Sequence, residues 1–288
     1  MRIIFLGTGT SHGVPALDCM LGTFRNCRRD LYLRRRADRY LARTRASIAV
    51  ETDEGTLLID TSQDFRQQML ESRLPRIDAV LFTHTHADHI QGLPDIRSYC
   101  RLHQGPMPVY GSAETLNELH TSFRYVFERP EGYVGGGIPS LEPHVLDGRP
   151  SRILGLTVTP IPVEHGPLNG CYGYRLNDVA YLPDVKHIPE TSKALLADLD
   201  LLILNCLRPR EHVSHLSMEE SLAYVAELAP RRCLLTHMTH DIDPAVHGRL
   251  LPKNVAFAYD GLAVLAWGTA VSGMSARRRG CGKDKSER

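Results

Sequence analysis

Short runs of apolar residues recur along the chain, and polar stretches rich in turn-forming residues separate them. Runs at 2–6, 79–82 and 201–205 are too brief for helices and rich in β-prone side chains, so we expect buried strands there. Residues 47–52 and 56–60 alternate around Asp53-Glu54-Gly55, which predicts a hairpin. The same reasoning predicts further strands at 107–110, 156–160, 173–176, 179–182, 233–236 and 263–267.

Apolar residues with helical spacing lie between these strands. They predict helices at 64–72, 95–102, 113–123, 190–199 and 217–228. In the first of these helices we expect Phe65, Met69 and Leu70 to face the core. Ser217 and Glu220 have the spacing of a capping box, which marks the start of the last helix. Two rounds of strands followed by helices predict an α/β fold with two similar halves packed face to face.

Two stretches follow neither pattern. Residues 19–43 are basic and lack regular spacing, so we expect an irregular surface insertion there. Residues 128–143 are rich in glycine and proline and predict a loop that serves as a lid or as a dimer contact. A homodimer is therefore one of the arrangements that the sequence leaves open.

Composition narrows the class of protein. With 288 residues, 42% hydrophobic and 23% charged, we expect one globular domain at 1–271 and a disordered basic tail at 272–288. The net charge of +1 provides no overall field for nucleic acid or an anionic membrane. No apolar run approaches the roughly 18 residues of a membrane span, and the first apolar run is too short for a signal peptide. Seven scattered cysteines do not resemble a disulfide framework, so we expect a cytoplasmic protein without a membrane partner.

The most informative motif is Thr83-His84-Thr85-His86-Ala87-Asp88-His89, which directly follows the apolar run at 79–82. Alternate residues of an extended segment share a face, so His84 and His86 can converge on one metal ion. Asp88 and His89 point elsewhere and could serve a second ion. Imidazole nitrogens and carboxylate oxygens suit zinc, manganese or iron.

Other candidate ligands lie just beyond apolar runs, where α/β proteins often place their sites. The glycine-rich turn at 7–13 lacks the spacing of a dinucleotide-binding motif, so we expect a turn that lets the backbone approach a site. The candidates outside the motif are His12, His165, Asp184, His215 and His237.

The H-x-H-x-D-H arrangement resembles that of the metallo-β-lactamase-fold hydrolases. This resemblance implies a four-layer αββα sandwich and a pair of divalent ions, Zn²⁺ or Mn²⁺. It implies that one ion is bound by His84, His86 and His165, and the other by Asp88, His89 and His237. Asp184 would bridge both ions, and Asp88 is also counted as catalytic.

Charge counting predicts the class of substrate. Two divalent ions carry four positive charges, of which ionised Asp88 and Asp184 would remove two. Neutral imidazoles add nothing, so two positive charges remain for a hydroxide and one anionic substrate. A phosphodiester fits this balance, because a two-metal centre activates water and holds the attacking and leaving oxygens.

Three further segments, at 7–15, 64–70 and 258–262, are similar to the PhnP-like branch of this family, which implies a small phosphodiester such as a ribosyl 1,2-cyclic phosphate as substrate. In that branch a histidine before a helix protonates the leaving alkoxide, and Ser214-His215-Leu216-Ser217 matches it. Such an acid contributes roughly 10²- to 10⁴-fold to the rate. The branch also carries a structural zinc, for which Cys19, Cys27 and His240 are candidate ligands, although the cysteines depart from the usual C-x-C-x-x-C pattern.

Two alternatives share parts of this pattern. One is tRNA 3′-end processing of the ribonuclease Z type, although the short, nearly uncharged stretch at 128–143 is unlike a basic arm that grips tRNA, so we do not expect a nucleic-acid partner. The other is a PqqB-like protein of cofactor biosynthesis, to which residues 43–50 have some likeness, or a non-hydrolytic binding module. The intact motif from His84 to His89 argues against it.

Overall fold

The computed structural model describes residues 1–24, 29–38, 40–103, 105–128 and 137–266. The expected tail at 272–288, Cys27 and residues 129–136 of the expected loop lie outside this set. Within the described residues the strands are β1 (Arg2–Gly7), β2 (Ser47–Glu51), β3 (Thr56–Ile59), β4 (Ala79–Leu81), β5 (Met107–Gly111), β6 (Leu141–Val145), β7 (Ser151–Ile153), β8 (Leu156–Pro162), β9 (Tyr172–Leu176), β10 (Val179–Leu182), β11 (Leu201–Asn205), β12 (Arg232–Thr236), β13 (Val255–Phe257) and β14 (Ala263–Leu265).

Helices connect and cover these strands. In the described residues they are α1 (Leu17–Leu21), α2 (Arg29–Ala37), α3 (Phe65–Ser72), α4 (Ala87–Ile90), α5 (Arg97–Cys100), α6 (Ala113–Ser122), α7 (Arg124–Phe127), α8 (Glu190–Ala194), α9 (Met218–Leu228) and α10 (Pro244–His247), with 3₁₀ turns at Leu93–Ile96 and Gly248–Leu250. None of these helices is long and apolar enough to cross a bilayer.

The strands form two mixed seven-stranded sheets. The first has the order β14-β1-β2-β3-β4-β5-β6 and the second the order β13-β12-β11-β10-β9-β8-β7. Strands β3, β4 and β5 run parallel in the first sheet, as do β10, β11, β12 and β13 in the second. Parallel strands bring their carboxyl ends to the same edge of a sheet, so residues that follow them gather there.

Three apolar layers hold the sheets and helices together. Phe5 and Ile59 of the first sheet pack in one buried cluster with Tyr174 and Ile203 of the second, so the middle layer lies between the sheets. A second cluster joins the first sheet to α3 and α6, and a third joins the second sheet to α9. The predicted α/β class and four-layer αββα sandwich are confirmed, as is the hairpin, in which Ile48 pairs with Ile59.

The expectation of irregular structure at 19–43 was wrong for much of that stretch, because α1 ends within it and α2 occupies residues 29–37. Helix α2 has Asp30 in its first turn and arginines in its last, which suits the helix dipole but leaves no apolar stripe to recognise. The prediction that Leu70 faces the core was also wrong, since Leu70 is 62% exposed. Gln68 is buried in α3 instead, and its side-chain amide donates to the carbonyl of Arg45 at 2.8 Å.

Some boundaries differ from the prediction. The helix expected at 190–199 ends at Ala194, and the one at 95–102 divides into a 3₁₀ turn and α5. Strand β6 begins inside the stretch expected to be a loop, and β7 and β13 were not predicted. The last two have only three residues each, which is too few for a recognisable alternation.

The capping box of α9 is confirmed. The Ser217 hydroxyl accepts from the backbone N–H of Glu220 at 3.3 Å, and the Glu220 carboxylate accepts from the N–H of Ser217 at 2.8 Å. This reciprocal pair fixes where α9 begins. It thereby anchors the end of the preceding loop, which carries Ser214 and His215.

Candidate metal centre

The histidine motif lies where β4 ends and α4 begins. His84 and His86 precede α4, and Asp88 and His89 lie within it. His84 Nε2 is 3.0 Å from His86 Nδ1, and His165 Nε2 is 3.1 Å from that same atom. Three imidazoles from both halves of the molecule therefore converge on one point.

A second group lies beside the first. The ligand atoms of Asp88, His89 and His237 all lie within 4.8 Å of one another. Asp88 Oδ2 is 3.3 Å from His89 Nε2 and 3.4 Å from His237 Nε2. His237 follows β12 in the left-handed region, with φ of 59°, so the chain turns sharply where this imidazole enters the cluster.

Asp184 lies between the two groups. Its Oδ1 is 3.2 Å from His237 Nε2 and 3.7 Å from His165 Nε2, and its Oδ2 is 3.1 Å from His89 Nε2. Asp184 follows β10, and His237 follows the parallel strand β12 in the same sheet. The structure thus brings all seven predicted ligands into one cluster, and their role as ligands stays a prediction.

Burial and mutual charge dominate the electrostatics of this cluster. Burial, together with the neighbouring imidazoles, lowers the pKa of His84 well below its ordinary value. Burial also acts to lower the pKa of His89, but the facing carboxylates of Asp184, Asp88 and Asp60 raise it well above the ordinary value. Burial acts to raise the pKa of Asp184, yet His237 and His89 hold it well below the usual range. Asp184 is therefore an ionised carboxylate among imidazoles.

The donor set fits divalent metal ions. His89 Nε2 and Asp184 Oδ2 are buried and lie 3.1 Å apart, but they lack the alignment of a hydrogen bond, and among the described residues neither atom has another hydrogen-bond partner. Buried polar atoms without a hydrogen bond are rare and call for an explanation, and an ion is one. Zn²⁺ and Mn²⁺ bind imidazole nitrogens and carboxylate oxygens. Here the imidazole nitrogens lie 3.0–3.1 Å apart with a carboxylate beside them.

Hydrogen bonds behind the cluster orient its imidazoles. Asp60 Oδ2 accepts from His89 Nδ1 at 2.7 Å, and both residues are fully buried. Asp60 also accepts from the backbone N–H and the hydroxyl of Thr83, each at 2.8 Å. On the other side, the His165 ring donates from Nδ1 to the carbonyl of Ser214 at 2.7 Å. These contacts leave the Nε2 atoms of His89 and His165 directed into the cluster.

Asp60 was missed by the sequence reasoning. It directly follows β3, the parallel neighbour of β4, so it shares the placement that singled out the other candidates. Its backbone has a φ of 66°, which is unusual for a residue other than glycine. Position beyond an apolar strand was the signal that could have identified it.

His215 lies beside the cluster and faces a cavity. Its Nδ1 is 3.4 Å from Asp184 Oδ1, and its ring stacks on that of His237 with 4.9 Å between centroids. Burial lowers the pKa of His215 to about 2, so the imidazole is neutral in the free protein. The cavity has a volume of about 470 Å³, and His12 and His240 also line it. His12 is therefore in the wall of the cavity and not in the cluster.

The glycine-rich turn approaches the cluster through its backbone, as expected. The N–H of Gly9 donates to the carbonyl of Thr44, and the N–H of Met238, next to His237, donates to the carbonyl of Thr8. A Cβ at Gly9 would lie 2.9 Å from the carbonyl oxygen of Thr44, which is too close for any other residue.

Two of the three candidate ligands for the predicted structural zinc, Cys19 and His240, lie among the described residues. Cys19 is buried in a small cluster with Ala16 and Phe24. The ring of Phe24 stacks on that of His240 with 4.6 Å between centroids. Among the described residues, Cys19 and His240 do not form a ligand group, and Cys27 lies outside them. The third zinc stays a prediction.

Residues 56–238, which include every predicted ligand of the cluster, match the Beta-lactamase superfamily domain. The chain belongs to this superfamily. A solved structure of a new diphosphatase from the PhnP family is 32% identical with a TM-score of 0.81, over 92% of this chain and 98% of that one. The chain is thus a metallo-β-lactamase-fold protein of the PhnP-like branch, and the resemblance of its motifs to that branch is confirmed.

Two curated relatives add to this picture. An octanoyltransferase of Porphyromonas gingivalis is 36% identical over 268 residues, which are 92% of this chain and 51% of that protein. The chain therefore spans about half the length of that relative. The anti-Pycsar protein Apyc1 of Paenibacillus harenae is 28% identical over 67% of this chain and 83% of that protein. The superfamily match and the PhnP-family structure agree with a cluster of histidines and aspartates that could hold metal.

Proposed function

We propose that this protein is a dinuclear, metal-dependent phosphodiesterase that acts on a small and preferably cyclic phosphodiester, such as a ribosyl 1,2-cyclic phosphate. The observation that carries the proposal is the place of Asp184. Its two oxygens face imidazoles of both ligand groups. His215, whose Nδ1 is 3.4 Å from Asp184 Oδ1, lines the adjacent cavity.

In this proposal, one ion would be held by His84, His86 and His165 and the other by Asp88, His89 and His237, and Asp184 would serve both. Two such ions would supply an activated water and would hold the attacking and leaving oxygens of an in-line displacement. Of their four positive charges, Asp88 and Asp184 offset two. A hydroxide and a singly charged phosphodiester balance the rest, whereas a neutral ester would leave one charge uncompensated.

His215 is the candidate general acid. It lies beside the cluster, where it contacts Asp184, and it also lines the cavity. His215 Nδ1 lies 3.4 Å from both the side-chain nitrogen of Asn205 and Oδ1 of Asp184, so it can accept from the amide when the imidazole is neutral and donate to the carboxylate when it is protonated. The imidazole is neutral before substrate binds, and an anionic phosphodiester placed against it favours uptake of a proton from solvent. The proton would then pass to the leaving alkoxide oxygen.

The test is metal analysis together with a substrate panel. The purified protein is stripped of metal, reloaded with Zn²⁺ or Mn²⁺, and offered ribosyl and nucleoside cyclic phosphates, a linear diester, an octanoyl thioester and a precursor tRNA. We expect two ions per chain and hydrolysis of the cyclic diesters. His86→Ala should abolish turnover, and His120→Ala, a change of an exposed histidine on α6, serves as the matched control.

The panel also decides between the alternatives. Cleavage of the precursor tRNA in preference to every small diester would move the function to that of ribonuclease Z. A protein that holds two ions and cleaves none of the diesters would overturn the proposal.

A further inference from the structure

His237 differs from the other imidazoles of the cluster in how its ring is held. The rings of His84, His89 and His165 each have a hydrogen-bond partner at Nδ1, at 2.7–3.0 Å. His237 Nδ1 is buried and has no such partner among the described residues. Its backbone lies in the left-handed region, with φ of 59°, which costs free energy in a residue other than glycine and persists only where surrounding contacts impose it. The backbone contacts of this turn therefore decide where the imidazole points.

The glycine-rich turn supplies these contacts. Met238, directly after His237, is fully buried, and its N–H donates to the carbonyl of Thr8 at 3.0 Å. The carbonyl of Met238 accepts from the N–H of Thr10 at 3.1 Å, and the two segments pair through a single bridge between Gly9 and Met238. A displacement of the glycine-rich turn would therefore pass directly to the backbone that carries the His237 ring.

A buried pair of opposite charges holds Thr8. Its hydroxyl accepts from Arg43 Nη1 at 2.6 Å and donates to Asp260 Oδ1 at 2.7 Å. The same Arg43 nitrogen donates to the carbonyl of Ala258 at 2.6 Å, and Asp260 Oδ2 accepts from the N–H and the hydroxyl of Thr44 at 2.6 and 2.9 Å. Burial lowers the pKa of Arg43 to about 10, so its guanidinium is still charged at neutral pH. Because hydrogen bonds to charged groups are stronger than neutral ones, this network fixes Thr8 firmly.

From these contacts we infer that Arg43, Thr8 and Asp260 are positioning residues for His237. By holding the turn at 7–13 in place, they keep His237 Nε2 beside the carboxylates of the cluster, at 3.2–3.4 Å. They touch neither the cluster nor the substrate, and their effect is on the affinity for the ion that His237 would bind. This inference rests on the proposed dinuclear function.

The experiment removes the hydroxyl between the two charges. Thr8→Val keeps the shape of the side chain and the carbonyl that accepts from Met238. In a Zn²⁺ competition titration with a chromogenic chelator, we expect it to weaken the binding of one of the two ions by about 10-fold, as the loss of an outer hydrogen-bond partner does at metal sites. Thr8→Ser, which keeps the hydroxyl, should restore most of that affinity. Thr52→Val is the matched control, since it removes a hydroxyl that donates to the carbonyls of Gly55 and Leu154, far from the cluster, and we expect it to leave both affinities within about twofold.

The same change in a His237→Ala protein separates positioning from general support of the fold. If Thr8 acts through His237, the two changes are not additive, and Thr8→Val should alter the remaining affinity by less than about twofold. An equal loss in both backgrounds would mean that the network only supports the fold, and an unchanged affinity in Thr8→Val alone would mean that the turn is held without it. Either result overturns the inference and leaves the phosphodiesterase standing.

A second variant covers the case in which Thr8→Val does not fold, as the melting temperature of the metal-free protein would show. Thr44→Val removes one hydrogen bond from Asp260 and keeps the N–H that donates to the same oxygen. We expect a loss of about threefold that again disappears in the His237→Ala background, and any other result overturns the inference. A wild-type protein that binds fewer than two ions would instead refute the dinuclear function itself.

Discussion

Replacing Asp60 with asparagine should weaken metal binding although Asp60 is not a candidate ligand. In the native structure its carboxylate accepts three hydrogen bonds, two from Thr83 and one from His89 Nδ1. If the amide oxygen of the substituted side chain keeps the bond to the Thr83 backbone, its NH₂ group faces His89 Nδ1. The imidazole must then carry its proton on Nε2, the atom that points into the cluster.

The size of the effect follows from that one contact. A hydrogen bond to a charged group contributes about 1.5–3 kcal/mol, which corresponds to roughly 10- to 100-fold in affinity for an ion bound through His89. Alanine is unsuitable, because it would leave three buried donors unsatisfied at about 1–3 kcal/mol each. Their sum is a large part of the free energy of unfolding of an ordinary domain, about 5–15 kcal/mol. Asparagine keeps the shape and confines the change to the tautomer of His89.

The assay is competition for Zn²⁺ with a chromogenic chelator, together with the melting temperature of the metal-free protein. Asp78→Asn is the control, since Asp78 accepts from the N–H of Thr56 at 2.8 Å and lies at the opposite end of β4 from the histidine motif. We expect the control to lose stability and keep its metal affinity. Unchanged affinity for both ions in Asp60→Asn would refute the reasoning.

Three other predictions concern single residues. His215→Ala should lower turnover of an alkyl-leaving diester by about 10²- to 10⁴-fold and that of a p-nitrophenyl diester far less, because p-nitrophenolate leaves without a proton; equal losses would remove His215 from the acid role. Asp184→Ala should lose bound metal and all measurable activity, and an active, metal-replete variant would disprove its bridging position. Asp260, whose carboxylate accepts from Thr8 and Thr44, has its pKa raised by burial to about 6, above the roughly 3.9 of an unfolded chain. The folded state then binds more protons than the unfolded state between these two pKa values, so the stability of the metal-free protein should fall by roughly 2–3 kcal/mol as pH rises through that window. Urea unfolding measured across this pH range should show a smaller change in stability for Asp260→Asn. The same change in the variant and the wild type would contradict the assignment.

Ligand candidates were the part of the site most accessible to sequence reasoning. His84, His165, Asp184 and His237 all follow apolar runs, and the ends of such strands share an edge of a sheet, so their convergence could be anticipated without coordinates. The contacts behind them were less accessible. Asp60 also follows an apolar strand, which marks it as a candidate, but its contact with His89 spans 29 residues and nothing local indicates that this carboxylate and this imidazole will meet.

The remaining differences between the predicted and the observed structure concern a surface helix, α2, and a buried side-chain amide, that of Gln68. Helix α2 is stabilised by charges at its ends and by neighbours such as Asp243, whose carboxylate pairs with Arg34, and neither leaves an apolar period in the sequence. In α3, hydropathy favoured Leu70 over Gln68 for the interior. Gln68 is inside because its amide meets the carbonyl of Arg45 and the hydroxyls of Ser62 and Thr44, partners that only the tertiary fold supplies.

The cluster draws its members from both sheets, and the chain between His89 and His237 is about 150 residues long. At a synthesis rate of about 5–20 residues per second, a ribosome needs roughly 7 to 30 s to travel from one to the other. During that interval the nascent chain contains the first histidines of the cluster but lacks the residues that complete it. The cluster can therefore assemble only after His237 has been synthesised, and a chain truncated before that residue lacks one of the candidate ligands.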